Sequence, residues 1–157
     1  MSAPRPPAES IARPQSRPHV LIISDDAGLS TFLAEGLLYG GFWTSVVASG
    51  LQALEVFRLR GFDFILVDAA LGGIGALESI HRLRGTSERA TPGDPRTDAP
   101  IGLIAEEVAL LSASNHHLPD DVEVLSAPLE LEEIVPRLHA TVERWRLNRT
   151  ENQPDVQ

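Results

Sequence analysis

Five short apolar segments alternate with helical patterns, and this alternation constrains the fold more than any other feature of the chain. The strand-like segments are HVLII (19–23), TSVVA (44–48), DFILV (63–67), IGLIA (101–105) and VEVL (122–125). Apolar residues at helical spacing follow them over 28–40, 50–60, 75–84, 106–115 (the weakest) and 130–146. The alternation predicts an α/β fold in which helices cover both faces of a parallel sheet.

The two ends of the chain differ from this middle part in composition. Residues 1–18 are rich in proline, serine and arginine, and residues 148–157 are polar. We expect both to be disordered tails around a single domain over 19–147. Within the domain, residues 85–99 form a polar loop that is long for a compact fold. A mobile loop is the simpler interpretation of that segment, and a docking loop is the alternative.

Charge and composition exclude several classes of function. The net charge of −9 argues against a nucleic-acid or anionic-membrane partner. The chain has no cysteine, which excludes disulfides and thiolate chemistry and fits a cytoplasmic protein. No apolar run approaches the roughly 18 residues that span a bilayer, and the first residues do not form a signal peptide. All 13 basic residues are arginine, so the chain contains no lysine.

Carboxylates follow two of the predicted strands. Asp25 and Asp26 come after the first strand, and Asp68 comes after the third. In open parallel sheets, ligands bind at the carboxyl ends of the strands. Carboxylates brought together there repel one another and attract a cation, and Mg²⁺ prefers such oxygen ligands.

Two long segments resemble the receiver domain of bacterial two-component response regulators. They are VLIISDDAGLSTFLAEGLLYGGFWTSVVASGLQALEVF and FDFILVDAALGGIGALESIHRLR, and the resemblance spans about residues 18–147. It implies a flavodoxin-like, doubly wound sheet of five parallel strands in the order 2-1-3-4-5 with five helices. It also implies a phospho-acceptor at Asp68, served by a histidine kinase. Mg²⁺ would be bound by Asp25, Asp26, Asp68 and the backbone carbonyl of Ala70.

Four positions depart from the receiver pattern. Ser24 stands where the first of two acids is usual, and Ala105 replaces a threonine or serine. Ala127 replaces the lysine that usually precedes the proline, and Val124 replaces an aromatic residue. Charge-assisted hydrogen bonds contribute roughly 1.5–3 kcal/mol each, so several kcal/mol of coupling between phosphorylation and shape are expected to be lost. Any Mg²⁺ site is expected to be weak.

These departures lead us to expect an atypical, stand-alone receiver that is not an enzyme and acts by binding a protein. The partner would be a histidine kinase or another signalling protein. A homodimer through the outer face of the last helix is an alternative to a merely solvated face there; that face carries Glu132, Glu133, Arg137, Glu143 and Arg144. A working phosphorelay receiver using Asp68 and Mg²⁺ is the alternative function. A nucleotide- or flavin-binding fold is disfavoured because SDDAGLS after the first strand is acidic.

Overall fold

A computed structural model describes residues 17–106 and 118–152 of the chain. Its strands are β1 (His19–Ile23), β2 (Trp43–Val47), β3 (Phe64–Asp68), β4 (Ile101–Ala105) and β5 (Val122–Ser126). Its helices, labelled here in chain order, are α1 (Ala27–Tyr39), α2 (Gly50–Leu59), α3 (Gly75–Arg84) and α4 (Leu131–Asn152). The predicted helix over 106–115 lies outside the described residues from 107 onward.

The five strands form one parallel sheet in the order β2-β1-β3-β4-β5, which confirms the predicted fold class. Every residue of β3 and β4 is buried, as are four of the five residues of β1. Strands covered on both faces read as continuous apolar runs, which is why these segments stand out in the sequence.

Helices cover the two faces of the sheet in pairs. α1 and α4 pack on one face, where Leu33, Leu37, Ile134, Leu138 and Val142 join a buried cluster with strand residues such as Ile22. α2 and α3 pack on the other face through Ala53, Leu54, Ala76, Ile80 and Leu83. The two clusters are the core of a doubly wound domain.

The last helix is longer than the sequence predicted. α4 continues to Asn152, so the prediction of a disordered tail from residue 148 is wrong for 148–152. The Thr150 hydroxyl donates to the Arg146 carbonyl at 3.0 Å, and the Arg149 guanidinium lies 4.7 Å from the centre of the Trp145 ring. This last turn is solvent-exposed, so its sequence carries no apolar stripe to reveal a helix.

The polar segment 85–99 contains no helix or strand and contacts α3 along its course. The Ser87 hydroxyl donates to Glu78 at 2.6 Å, and the Thr97 amide donates to the Leu83 carbonyl at 2.7 Å. The hydrogen bond from Ser87, followed by the contacts with Arg82, lowers the pKa of the Glu78 carboxyl. The loop therefore has defined attachments to the helix that precedes it.

Candidate functional site

The predicted site residues come together in a cleft at the carboxyl edge of the sheet. β3 ends one residue later than predicted, so that Asp68 is its last residue, and Asp25 follows β1. Ala105 ends β4, and the Ala127 amide donates to the Ala105 carbonyl at 2.9 Å. These residues line a cleft of about 410 Å³ together with Asp26, Ala70 and Glu106. The parallel strand directions alone bring them to one edge.

Asp68 is buried and held by two hydrogen bonds. Only 8% of its surface is exposed. Its Oδ1 accepts from the Ala70 amide at 3.0 Å, and its Oδ2 accepts from the Ser24 hydroxyl at 2.8 Å. Because one donor engages each oxygen, the carboxylate has a fixed orientation in the cleft.

Ser24 has a structural role that the sequence did not reveal. The side chain is buried, and its oxygen accepts from the Asp26 amide at 3.0 Å while its hydroxyl donates to Asp68. In the sequence, this position stands out only as the place of a missing acid. A serine that ends an apolar strand beside a predicted carboxylate edge is the signal that would have suggested the bond.

Asp25 and Asp26 are exposed and already bind backbone amides. Asp26 is the N-cap of α1, where its Oδ1 accepts from the Leu29 amide at 3.1 Å. Such a cap stabilises a helix by satisfying one of its unpaired amides. The Asp25 Oδ2 accepts from the Gly72 amide at 3.1 Å, which links the turn after β1 to the turn after β3.

The residues present fit a weak Mg²⁺ site at most. Within 17–106 and 118–152, no three histidine, cysteine, aspartate or glutamate side chains are arranged to hold a metal ion. Asp25, Asp26 and Asp68 line the same cleft, although one oxygen of Asp26 already caps α1, so the predicted ligand set stays a prediction. Asp25, Asp68 and the Ala70 carbonyl are oxygen donors of the type that Mg²⁺ accepts.

The cleft contains acids but no cation among the described residues that line it. Ala105 is 3% exposed, Ala127 is half-buried, and both side chains are methyl groups. Glu106 is exposed and adds a fourth carboxylate to those of Asp25, Asp26 and Asp68. Val124 lies half-buried in the middle of β5. The described lining of the cleft is therefore acidic and supplies no cationic side chain.

Comparison with known proteins shows which sequences and folds the chain is similar to. No family model matches the chain. The uncharacterized transcriptional regulatory protein YkoG of Bacillus subtilis is 27% identical over 132 residues, covering 79% of this chain and 50% of YkoG. Response regulator MprA of Mycobacterium tuberculosis is 27% identical over 133 residues, covering 81% of this chain and 51% of MprA. The chain thus spans about half the length of the curated relatives it matches.

Solved structures show the same fold. A sensor protein from Polaromonas sp. JS666 is 26% identical with a TM-score of 0.68, covering 82% of this chain and 98% of that one. A CheY-like response regulator receiver domain from Methylobacillus flagellatus is 21% identical with a TM-score of 0.62, covering 79% and 98%. Together with the strand order, these similarities show that the chain has the fold of a receiver domain and is similar in sequence to response regulators. No helix in the described part of the chain is long and apolar enough to cross a bilayer.

Proposed function

We propose that the chain is an atypical receiver that binds a signalling protein and does not change shape on phosphorylation. The observation that carries the proposal is the environment of Asp68. Its carboxylate accepts from the Ser24 hydroxyl and faces a cleft lined by the methyl groups of Ala105 and Ala127. A phosphoryl group there would add negative charge to a cleft of four carboxylates.

The energetic consequence can be bounded. A phosphoryl group gathers charge on its equatorial oxygens, and that charge needs a cation or hydroxyl donors. Charge-assisted hydrogen bonds contribute roughly 1.5–3 kcal/mol each, so replacing a lysine and a hydroxyl by methyl groups removes about 3–6 kcal/mol. Moving a two-state equilibrium from 1:99 to 99:1 takes about 5.5 kcal/mol, so a loss of this size abolishes most of a switch.

A functional phosphorelay receiver is the second candidate, and one observation favours it. Asp68 lies at the carboxyl end of the central strand with Asp25 beside it in the same cleft, which is the minimum that acceptance of a phosphoryl group needs. In this alternative Asp25, Asp68 and the Ala70 carbonyl would bind Mg²⁺ weakly. The absence of a cationic side chain among the described lining residues counts against it.

The partner in our proposal is a histidine kinase or another signalling protein, and the chain has no catalytic activity of its own. Exposed charges on α4 support a contact there, since Glu132, Glu133, Glu143 and Arg144 all face solvent. Arg137 differs from them because its guanidinium is ion-paired with Glu123 of β5 in the same chain. A homodimer through this face remains part of the proposal, and sedimentation velocity over a concentration series tests it. A cytoplasmic location also remains a prediction.

Amide NMR during stepwise addition of Mg²⁺ and then beryllofluoride, a phosphoryl mimic, tests the proposal. We expect Mg²⁺ to shift only amides near Asp25 and Asp68, and beryllofluoride to leave β5 and α4 unchanged. Asp68→Asn is the matched control, because it keeps the size of the side chain and removes the anionic oxygen. Shifts in the wild type that reach β5 and are lost in Asp68→Asn would establish the phosphorelay alternative instead.

A further inference from the structure

The amino edge of the sheet, opposite Asp68, has a second cleft of a different charge. Phe62 precedes β3, Asp98 precedes β4 and Asp121 precedes β5, so these residues mark the edge where the parallel strands begin. They line a cleft of about 550 Å³ together with three arginines and a tryptophan; these are Arg84, Arg96, Arg149 and Trp145. The cleft therefore collects cations on a chain whose net charge is −9.

Two side chains in this cleft, those of Arg84 and Trp145, have buried nitrogens without a hydrogen-bond partner among the described residues. The Arg84 side chain is only 8% exposed; its Nη1 donates to the Thr97 carbonyl at 2.9 Å and its Nη2 lies 3.0 Å from the Asp121 carboxylate. Nη2 makes this ion pair but no hydrogen bond, and Arg84 Nε and Trp145 Nε1 are buried without a hydrogen-bond partner in the described part of the chain. Buried polar groups are nearly always paired, so each exception calls for a partner.

The two remaining arginines carry uncompensated charge. Arg96 and Arg149 are exposed, and neither makes an ion pair within the described residues. The Arg149 guanidinium stacks 4.7 Å from the Trp145 ring centre, and the Arg96 side chain lies against Gly85 at the end of α3. Of the two aspartates in the lining, Asp121 is paired with Arg84, which leaves Asp98 against two free guanidinium groups.

We propose that this cleft binds a small anion that carries phosphate or carboxylate oxygens. Arg96 and Arg149 supply the charge, and Arg84 and Trp145 supply donors that need an acceptor. Guanidinium groups bind both kinds of oxyanion because their planar, forked donors match two oxygens at once. The site shares no residue with the cleft at Asp68, so it does not depend on the function proposed above.

The indole N–H signals provide a direct readout, because the chain has only two tryptophans. Trp145 lines the cleft, whereas Trp43 is on β2, 50% exposed and covered by Arg17 at 4.1 Å, and serves as an internal control. Pyrophosphate and citrate are titrated separately into ¹⁵N-labelled protein at constant ionic strength, set with sodium chloride. We expect a saturable shift of the Trp145 indole while the Trp43 indole stays in place.

Variants separate a specific site from general charge. Arg96→Gln and Arg149→Gln are expected to weaken binding about tenfold or more each, since a hydrogen bond to a charged group is lost. Arg144→Gln is the matched control, because Arg144 is exposed on the same helix and does not line the cleft. A saturable Trp145 shift with pyrophosphate but not citrate supports a phosphate site, and the reverse result supports a carboxylate site. An unmoved Trp145 signal, or a linear shift equal in all variants, would overturn the proposal.

Discussion

At the scale of single residues, Ser24 determines the environment of Asp68. Its hydroxyl donates to Asp68, and the same oxygen accepts from the Asp26 amide, so one side chain connects β1, β3 and the start of α1. Replacement of this serine would leave the buried carboxylate with the Ala70 amide as its remaining donor in the described structure. A buried polar group that loses its partner costs more than the bond itself contributed.

Ser24→Ala is expected to destabilise the fold by about 1–3 kcal/mol, because Asp68 Oδ2 and the Asp26 amide both lose their hydrogen-bond partner. Urea unfolding monitored by circular dichroism measures the change. Ser126→Ala is the control, since Ser126 is exposed at the end of β5, and its effect should stay within about 0.5 kcal/mol. Equal midpoints for the two variants would show that the Ser24 bond does not stabilise the fold.

Ser24→Asp tests whether the missing acid at this position accounts for the weak Mg²⁺ binding that we expect. The substitution restores an acid at the position where receivers usually carry one and places it against Asp68. Two adjacent buried carboxylates repel each other unless a cation binds between them, so the metal-free variant should be less stable than the wild type. Saturating Mg²⁺ should then raise its Tm much more than that of the wild type, through preferential binding to the folded state. A variant that gains no extra Mg²⁺ response would exclude the missing acid as the cause.

At the scale of elements, Gly50 allows α2 and α3 to pack closely. Gly50 is buried in the first turn of α2, and a Cβ added there would overlap the Ser79 hydroxyl and approach Ile74 Cδ1 at 2.9 Å. Ser79 cannot simply turn away, because its hydroxyl donates to the Gly75 carbonyl at 2.7 Å. This contact gives a packing reason for the glycine in the segment SGLQALEVF.

Gly50→Ala is expected to cost about 1–3 kcal/mol of stability through overpacking between the two helices. Gly61→Ala is the matched control, since no atom lies within 4 Å of the Cβ that it would add. The control should be neutral or stabilising within about 1 kcal/mol, because it reduces the freedom of the unfolded chain. Chemical denaturation compares them, and similar losses in both variants would contradict the packing explanation.

The start of β1 gives the fold a pH dependence. Burial of His19 lowers its pKa from the ordinary value of 6.5, the nearby Arg60 lowers it further, and Asp63 acts in the opposite direction. The folded chain thus binds fewer protons at His19 than the unfolded chain does. The contribution of neutral His19 to stability is therefore complete above pH 6.5 and is lost as the pH falls toward the folded pKa. As the pH is lowered from about 7.5 to 5, the denaturation midpoint of the wild type should decrease, and the midpoint of His19→Gln should change less. An unchanged slope in the variant would assign the dependence to another group.

At the scale of the whole molecule, periodicity predicted the alternating strands and helices of a parallel sheet, whereas the strand order came from the resemblance to receiver domains. Parallel strand direction placed Asp25 and Asp68 at one edge of the sheet, and the resemblance added Ala105 and Ala127. Sequence reasoning could not show that Ser24 holds Asp68, because that bond joins residues 44 positions apart through side-chain geometry. It also missed the extension of α4 and the arginine cleft, whose members are scattered polar residues without a periodic pattern.

Charge is distributed unevenly over the molecule. Four carboxylates line the cleft at the carboxyl edge of the sheet. Three arginines and two aspartates line the cleft at the amino edge, and one arginine is paired with one aspartate there. The cleft at the carboxyl edge is acidic and has alanine at positions 105 and 127, where receivers usually carry a hydroxyl donor and a lysine, so we expect phosphorylation to be uncoupled from shape. Restoring the two missing groups should therefore restore the coupling.

The most direct test compares the wild type with the double variant Ala105→Thr and Ala127→Lys in the same NMR titration with Mg²⁺ and beryllofluoride. Both substituted positions line the cleft that contains Asp68, so the new hydroxyl and ammonium groups would reach the phosphoryl mimic. We predict shifts that spread to β5 and α4 in the double variant and remain absent in the wild type. A wild-type response as extensive as that of the variant would contradict the proposal that this receiver is not switched by phosphorylation.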